Sequence, residues 1–217
     1  MNIITVTPPT VEPVTDGEAF FSLKISADPA ADVSAEPELT EVQTCVKAAR
    51  EECERLTNRS FVQRTLRLLK GPGRTGARRG LQWYMNGAAE QLADIELPAG
   101  PVTSVVAVKY YDDSNVLRTV DPANYFLVQS LVPKLRFVGG FEASLYLRDD
   151  AIQIDYVAGM PPVPGSPDDY RANVPATVKQ AVLLMAHAHY DGLAPDERAS
   201  FREAAERMLS RMRVVTL

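Results

Sequence analysis

Between about Glu36 and Thr57 apolar residues return every three or four positions, and soon after Asn58 they begin to return every second one. This switch constrains the chain more than any other feature, because the 3.6-residue helical period and the 2-residue strand period cannot share one element. The first stretch carries Leu39, Val42, Val46, Ala49, Cys53 and Leu56 along one stripe. Lys47/Glu51, Arg50/Glu54 and Glu51/Arg55 form i,i+4 opposite-charge pairs, which the pattern assigns to the outer faces. The spacing predicts a helix over about 36–57, packed on one face and solvated on the other. So regular a seam fits its own core or a neighbouring subunit, which makes Leu39, Val42, Val46, Ala49 and Leu56 candidate subunit-packing residues.

The strand-like region runs over about 61–157. "FVQRTLRLLKG" precedes the loop "GPGRTGARRG", and the β-rich runs that follow are broken by "PAGP", "DDSN" and "DPAN". Val106, Val108 and Tyr110 alternate with Ala107, Lys109 and Tyr111, the period of a half-buried strand, and "DDSN" supplies the turn into "VLRTV". "PKLRFV" and "AIQIDYV" add two strands. Helical period then returns over about 174–191, entered at Pro175, and over about 196–212, where Phe201, Ala205, Met208 and Met212 share a stripe. At the other end, residues 1–14 read as extended, and "TDGEAFFSLKI" as a short helix opened by Thr15 or Asp16. The expected class is α+β: one domain over residues 1–217, a helical core with an antiparallel β insertion over 61–157 and a tail at 213–217.

Composition narrows function. Of 217 residues 46% are hydrophobic, enough to bury a core, and 28 acidic against 23 basic residues argue against a surface that grips nucleic acid throughout. No run of 18 apolar residues occurs and the N-terminus lacks an export signal, so the expectation is a cytoplasm-like compartment without a membrane. Cys45 and Cys53 lie about 12 Å apart along one helix, too far for a disulfide, and read as buried thiols. Both histidines, His187 and His189, stand in "LMAHAHYDG", but at i,i+2 they point about 160° apart. Metal chelation on one helix uses i,i+4, so no metal is expected. Neither a GxSxG nucleophile motif nor a GK[ST] phosphate loop is present, and neither enzymatic activity nor a cofactor is expected.

One charge bias is local. No acidic residue lies between Gln63 and Ala89, while Arg64, Arg67, Lys70, Arg74, Arg78 and Arg79 do. Arg74, Arg78 and Arg79 are the candidate contacts to DNA or an acidic partner. The closing segment ends in "RVVTL", whose Arg213, Val214, Val215 and Leu217 can add a strand or fill a partner's groove.

The runs "VKAAREECERLTNRSFVQRTLRL", "IELPAGPVTSVVAVKYYDDSNVLRTVDPANYFLV", "AIQIDYVAGM" and "VPATVKQAVLLMAHAHYDG", in that order over about 38–192, resemble the head-tail connector (adaptor) proteins of tailed bacteriophages and gene transfer agents. "MLSRMRVV" is similar to that family's closing Leu-Leu-x-x-x-Arg-Val pattern, whereas "DGLAP" stands where the family commonly has an arginine after Tyr190. The resemblance implies a structural virion protein of the neck, assembled in the bacterial host cytoplasm. In this family a ring of identical subunits, usually dodecameric, docks beneath the portal protein. It lengthens the channel through which genome DNA passes without sequence-specific contact, and it offers its other end to a stopper or tail-terminator protein. By the same resemblance the "RVVTL" tail is the candidate portal-docking element. A stopper or tail-completion protein of the same particle, or a non-enzymatic soluble binding module, is the alternative.

Overall fold

The structure is a computed structural model that describes residues 2–71, 94–141, 143–165, 167–190 and 194–214. The candidate basic residues Arg74, Arg78 and Arg79, and Val215 and Leu217 of the tail, lie outside the described residues. Among those described, four α-helices and two antiparallel sheets make a mixed α+β chain. It divides into two compact units, a sheet unit of Met1–Pro8 with Arg64–Gly159 and a helical unit of Pro9–Gln63 with Met160–Leu217.

The helical unit opens with α1, Asp16–Ser22, capped as expected by Thr15, whose hydroxyl accepts from the Glu18 amide while the Glu18 carboxylate accepts from the Thr15 amide. The second helix, α2, spans Leu39–Thr57, three residues shorter at its start than the period suggested, and stops at Asn58 in the left-handed conformation (φ 53°) that asparagine tolerates. After Pro175 comes α3, Ala176–His189, and after Ala194 comes α4, Pro195–Leu209, continued by a 3-10 turn over Ser210–Met212. Val42, Val46, Ala49 and Cys53 of α2 pack with Phe20, Phe61, Val178, Val182, Met185, Ala205 and Leu209 into one buried cluster. Gly17 lies against the loop that follows α1: a Cβ there would come 2.5 Å from the Pro29 carbonyl oxygen and 3.1 Å from that of Ala31. Gly17→Ala should therefore destabilise the unit by about 1–2 kcal/mol, since overpacking against backbone exceeds alanine's helix-propensity gain of about 1 kcal/mol. Urea denaturation checks this, and a stabilised variant would show that residues 29–31 yield.

In the sheet unit β1 (Asn2–Thr7), β2 (Arg64–Lys70), β8 (Ile152–Ala158), β4 (Val102–Tyr111) and β5 (Leu117–Thr119) form a five-stranded sheet in that order. Its edges are β1 and β5. A three-stranded sheet sets β3 (Asp94–Glu96) and β6 (Tyr125–Val128) on either side of β7 (Lys134–Phe137). Leu66, Leu68, Val102, Val108, Ile152, Ile154 and Tyr156 share a core with Ile95, Leu97, Leu135, Phe137, Phe141 and Leu145. The "DDSN" turn joins β4 to β5, with Asp112 Oδ1 accepting from the Ser114 and Val116 amides.

One pairing was not foreseen, and one expectation needs correction. Residues 1–14 read as extended, yet nothing marked Asn2–Thr7 as a sheet edge far from the β insertion; it pairs with β2 over Asn2–Leu69 to Thr7–Thr65. And Val106 does not share a face with Val108 and Tyr110. The β4–β8 register shifts between Val105 and Ala107, so Val105 stands opposite Tyr156 and Val106 is turned out to 57% exposure, while Val108 is fully buried. A bulge adds one residue to one strand, which period-2 counting cannot foresee.

Candidate functional site

The residues singled out by sequence do not converge on one place. Val42, Val46 and Ala49 are closed inside their own chain's helical core, which leaves Leu39 and Leu56, packed at its edge and part-exposed, as the stripe members with surface left for a neighbour. On β2, the strand entering the basic stretch, Arg67 is bound bidentately by Asp155 on β8 (2.6 and 2.9 Å), and burial lowers the pKa of Lys70. These two cations are built into the sheet rather than offered as a basic stripe.

The tail is less free than its sequence suggested. Arg59 Nε donates to the Met212 carbonyl and the Val214 amide to the Thr57 carbonyl, both at 2.9 Å. As far as Val214 the terminal peptide is thus held at the C-terminal end of α2, with Arg213 exposed and extended between the two bonds. Docking predicted from "RVVTL" has to start from this anchor.

The two histidines serve different helices, as their angular separation requires. His187 Nε2 meets Ser22 Oγ at 3.1 Å, and its ring stacks on Phe201 of α4 with centroids 4.8 Å apart. His189 Nε2 meets Glu52 Oε2 of α2 at 3.0 Å, and Glu52 also receives Arg202 Nε of α4 at 3.3 Å. Each is half-buried and clasps a polar partner on another helix. Among the described residues no group of three His, Cys, Asp or Glu side chains is placed to hold a metal ion. Cys53 is wholly buried, and burial with Glu52 and Glu54 nearby pushes its thiol up to about 12, which removes it as a nucleophile at neutral pH.

Burial, the leading cause, with Lys24 adding to it, lowers the pKa of His187 below its ordinary 6.5. The unfolded chain then binds the proton first on acidification, so stability is fully present above pH 6.5 and is lost as the pH falls toward the folded value. His187→Gln removes this titration. Wild-type stability minus variant stability should shrink between pH about 7.5 and about 5.5 in paired denaturation curves. A difference that stays constant would show that His187 keeps an ordinary pKa.

The feature sequence misread is an ion cluster beneath α2. Arg50, with 2% of its side chain exposed, donates through Nε to Glu12 Oε2 and through Nη1 to Glu54 Oε2, each at 2.7 Å. Glu54 Oε1 accepts from the Phe61 amide at 2.8 Å, and Arg171 Nε donates to the Glu12 carbonyl at 3.0 Å. The i,i+4 rule had put Arg50 and Glu54 outside. The overlooked signal was phase: at 100° per residue Arg50 stands only about 40° from Val46 on the buried stripe. Burial opposes the charge of Arg50, but Glu54 and Glu12 outweigh it and raise its pKa; Glu12 is raised by burial, which its bond to Arg50 offsets only in part. The cluster fastens the N-terminal segment, α2, the residues after α2 and the loop before α3 to one another. It is structural.

No protein-family profile and no curated protein matches this chain. Solved structures do. A chain in the neck of an empty GTA particle computed with C6 symmetry is similar at TM-score 0.66, and one in the virion of the native gene transfer agent (GTA) particle at 0.63. A chain in the neck of the native particle computed with C12 symmetry is similar at 0.57. In each case identity is 21%, over 100% of this chain and 97% of the other. The fold of this protein, from end to end, is that of a chain found in gene transfer agent particles.

Proposed function

We propose that this chain is a structural neck protein of a tailed-phage-like or gene transfer agent particle. It is a head-tail connector that forms a ring beneath the portal, extends the DNA channel and presents its far side to a stopper or tail component. The observation carrying this reading is the end-to-end likeness to a neck chain, with both units included and almost nothing left over on either side. The motif order and the large helical unit favour a connector over a stopper. Arg74, Arg78 and Arg79 are the proposed contacts to DNA or an acidic neighbour, and Arg213–Leu217 the proposed portal contact.

Negative-stain electron microscopy of the purified chain, alone and mixed with its portal protein, tests the reading. The expected image is a ring stacked coaxially on the portal. A chain that forms a ring neither alone nor on the portal overturns it, and rings that bind tail components but never portal make the protein a stopper. Removing residues 213–217 should weaken portal binding at least about tenfold while shifting subunit stability by only about 1 kcal/mol, the worth of the Val214–Thr57 hydrogen bond. A pull-down beside a melting curve measures both, and undiminished portal binding would move the docking surface elsewhere.

A further inference from the structure

Among the described residues the five-stranded sheet ends, on one side, in β1, a strand guarded by neither charge nor proline, whose register against β2 shifts only between Thr5 and Thr7. All six residues of β1, "NIITVT", are exposed; none is charged and none is proline; and Ile3, Ile4 and Val6 stand 37%, 44% and 45% exposed. Edge strands that must stay single carry lysine, proline or an inward charge, because their open amides and carbonyls otherwise template pairing. Toward its other edge the sheet is open a second time. On the side of β4 away from β8, β5 pairs only with Lys109–Tyr111, Val120 reaches the Val108 carbonyl, and Gln129 Nε2 occupies the Val102 carbonyl. Between these contacts, along Ser104–Ala107, no strand lies against β4 among the described residues. This stretch is also uncharged, and its bulge turns Val106 outward.

We propose that β1 of one copy adds to the Ser104–Ala107 edge of β4 in the next, so that the sheets of successive subunits run together around the ring. The inference rests on the ring reading above and names its subunit contact. Strand direction supports it. Every neighbour in β1-β2-β8-β4 is antiparallel, so β1 and β4 run in opposite directions. A second copy placed head to tail, with its sheet facing the same way, therefore brings its β1 antiparallel to β4, and the four strands from β1 to β4 let the pattern repeat without a mismatch. Cyclic symmetry requires two different surfaces that fit each other, and the two open edges of this sheet are such a pair. Both are uncharged, so they associate without desolvating a charge. Exposed Ile4 and Val6 would meet exposed Val106 as cross-strand neighbours.

Two cysteine variants of the full chain, Ile4→Cys and Val106→Cys, mixed and treated with a short bis-maleimide, test the contact. Cys45 and Cys53 are buried and should stay silent. The expected product is a covalent dimer joining one Ile4→Cys copy to one Val106→Cys copy. The companion variant Ile4→Lys/Val6→Lys should lower ring yield at least about tenfold by placing charge on the edge. Its subunit melting should be unchanged, since both positions are exposed. Rings that persist in the lysine variant, or an Ile4-to-Ile4 crosslink marking a closed two-fold pair, overturn this contact and leave the neck reading standing. Failure of the unsubstituted chain to form rings, alone or on the portal, removes the neck reading and this contact with it.

Discussion

Arg50→Ala should destabilise the helical unit by about 4 kcal/mol, the range seen when one partner of a buried ion pair is removed. The loss comes mainly from what remains. Glu54, with 4% of its side chain exposed, and Glu12, with 26%, would face each other without the guanidinium that lies 2.7 Å from each. A variant that removes charge instead of stranding it should recover much of the loss. Arg50→Met with Glu12→Gln and Glu54→Gln is the informative choice, because glutamine at 54 still accepts from the Phe61 amide that Glu54 now serves at 2.8 Å. Chemical denaturation of the single and triple variants decides. A single variant losing under about 1 kcal/mol would mean that the two carboxylates find water or protons at no cost.

Asp155→Ala should cost the sheet unit about 2–3 kcal/mol, less than the Arg50 change because Arg67 keeps 29% of its side chain exposed and can turn toward water. Asp155 itself is 7% exposed on β8, the strand with β2 on one side and β4 on the other. Its bidentate bond to Arg67 crosses the β2–β8 pair at one register position, so it opposes the one-residue slip that would exchange the sheet's two faces. Asp155→Asn, which keeps the shape and one acceptor, should lose about half as much. Unfolding curves of the two variants check the order; equal losses would assign the effect to packing rather than charge.

Much of the local structure was legible in the residues. Thr15 or Asp16 marked the start of α1, Asn58 the end of α2, Pro175 the entry to α3, and "DDSN" the β4–β5 turn. Of the candidate site, less was legible. The chemistry of the histidines followed from their spacing, yet their partners, Ser22, Phe201 and Glu52, come from helices up to 165 positions away and no local pattern encodes them. Val214 likewise looked like a free end until the Thr57 carbonyl was found opposite its amide.

The sequence by itself determined most of the elements and their order, because period, caps and turn residues act within a few positions of one another and each is read where it stands. Only the tertiary structure decided which surfaces those elements spend on each other. It put Arg50 under α2 because Glu12 and the Phe61 amide complete a buried cluster there, turned Val106 out through a bulge set by the β8 register, and used Asn2–Thr7 to finish a sheet whose next strand begins at residue 64. These outcomes depend on groups far apart in the chain meeting at one point, where desolvation and hydrogen bonding are settled jointly, and no single segment carries that information.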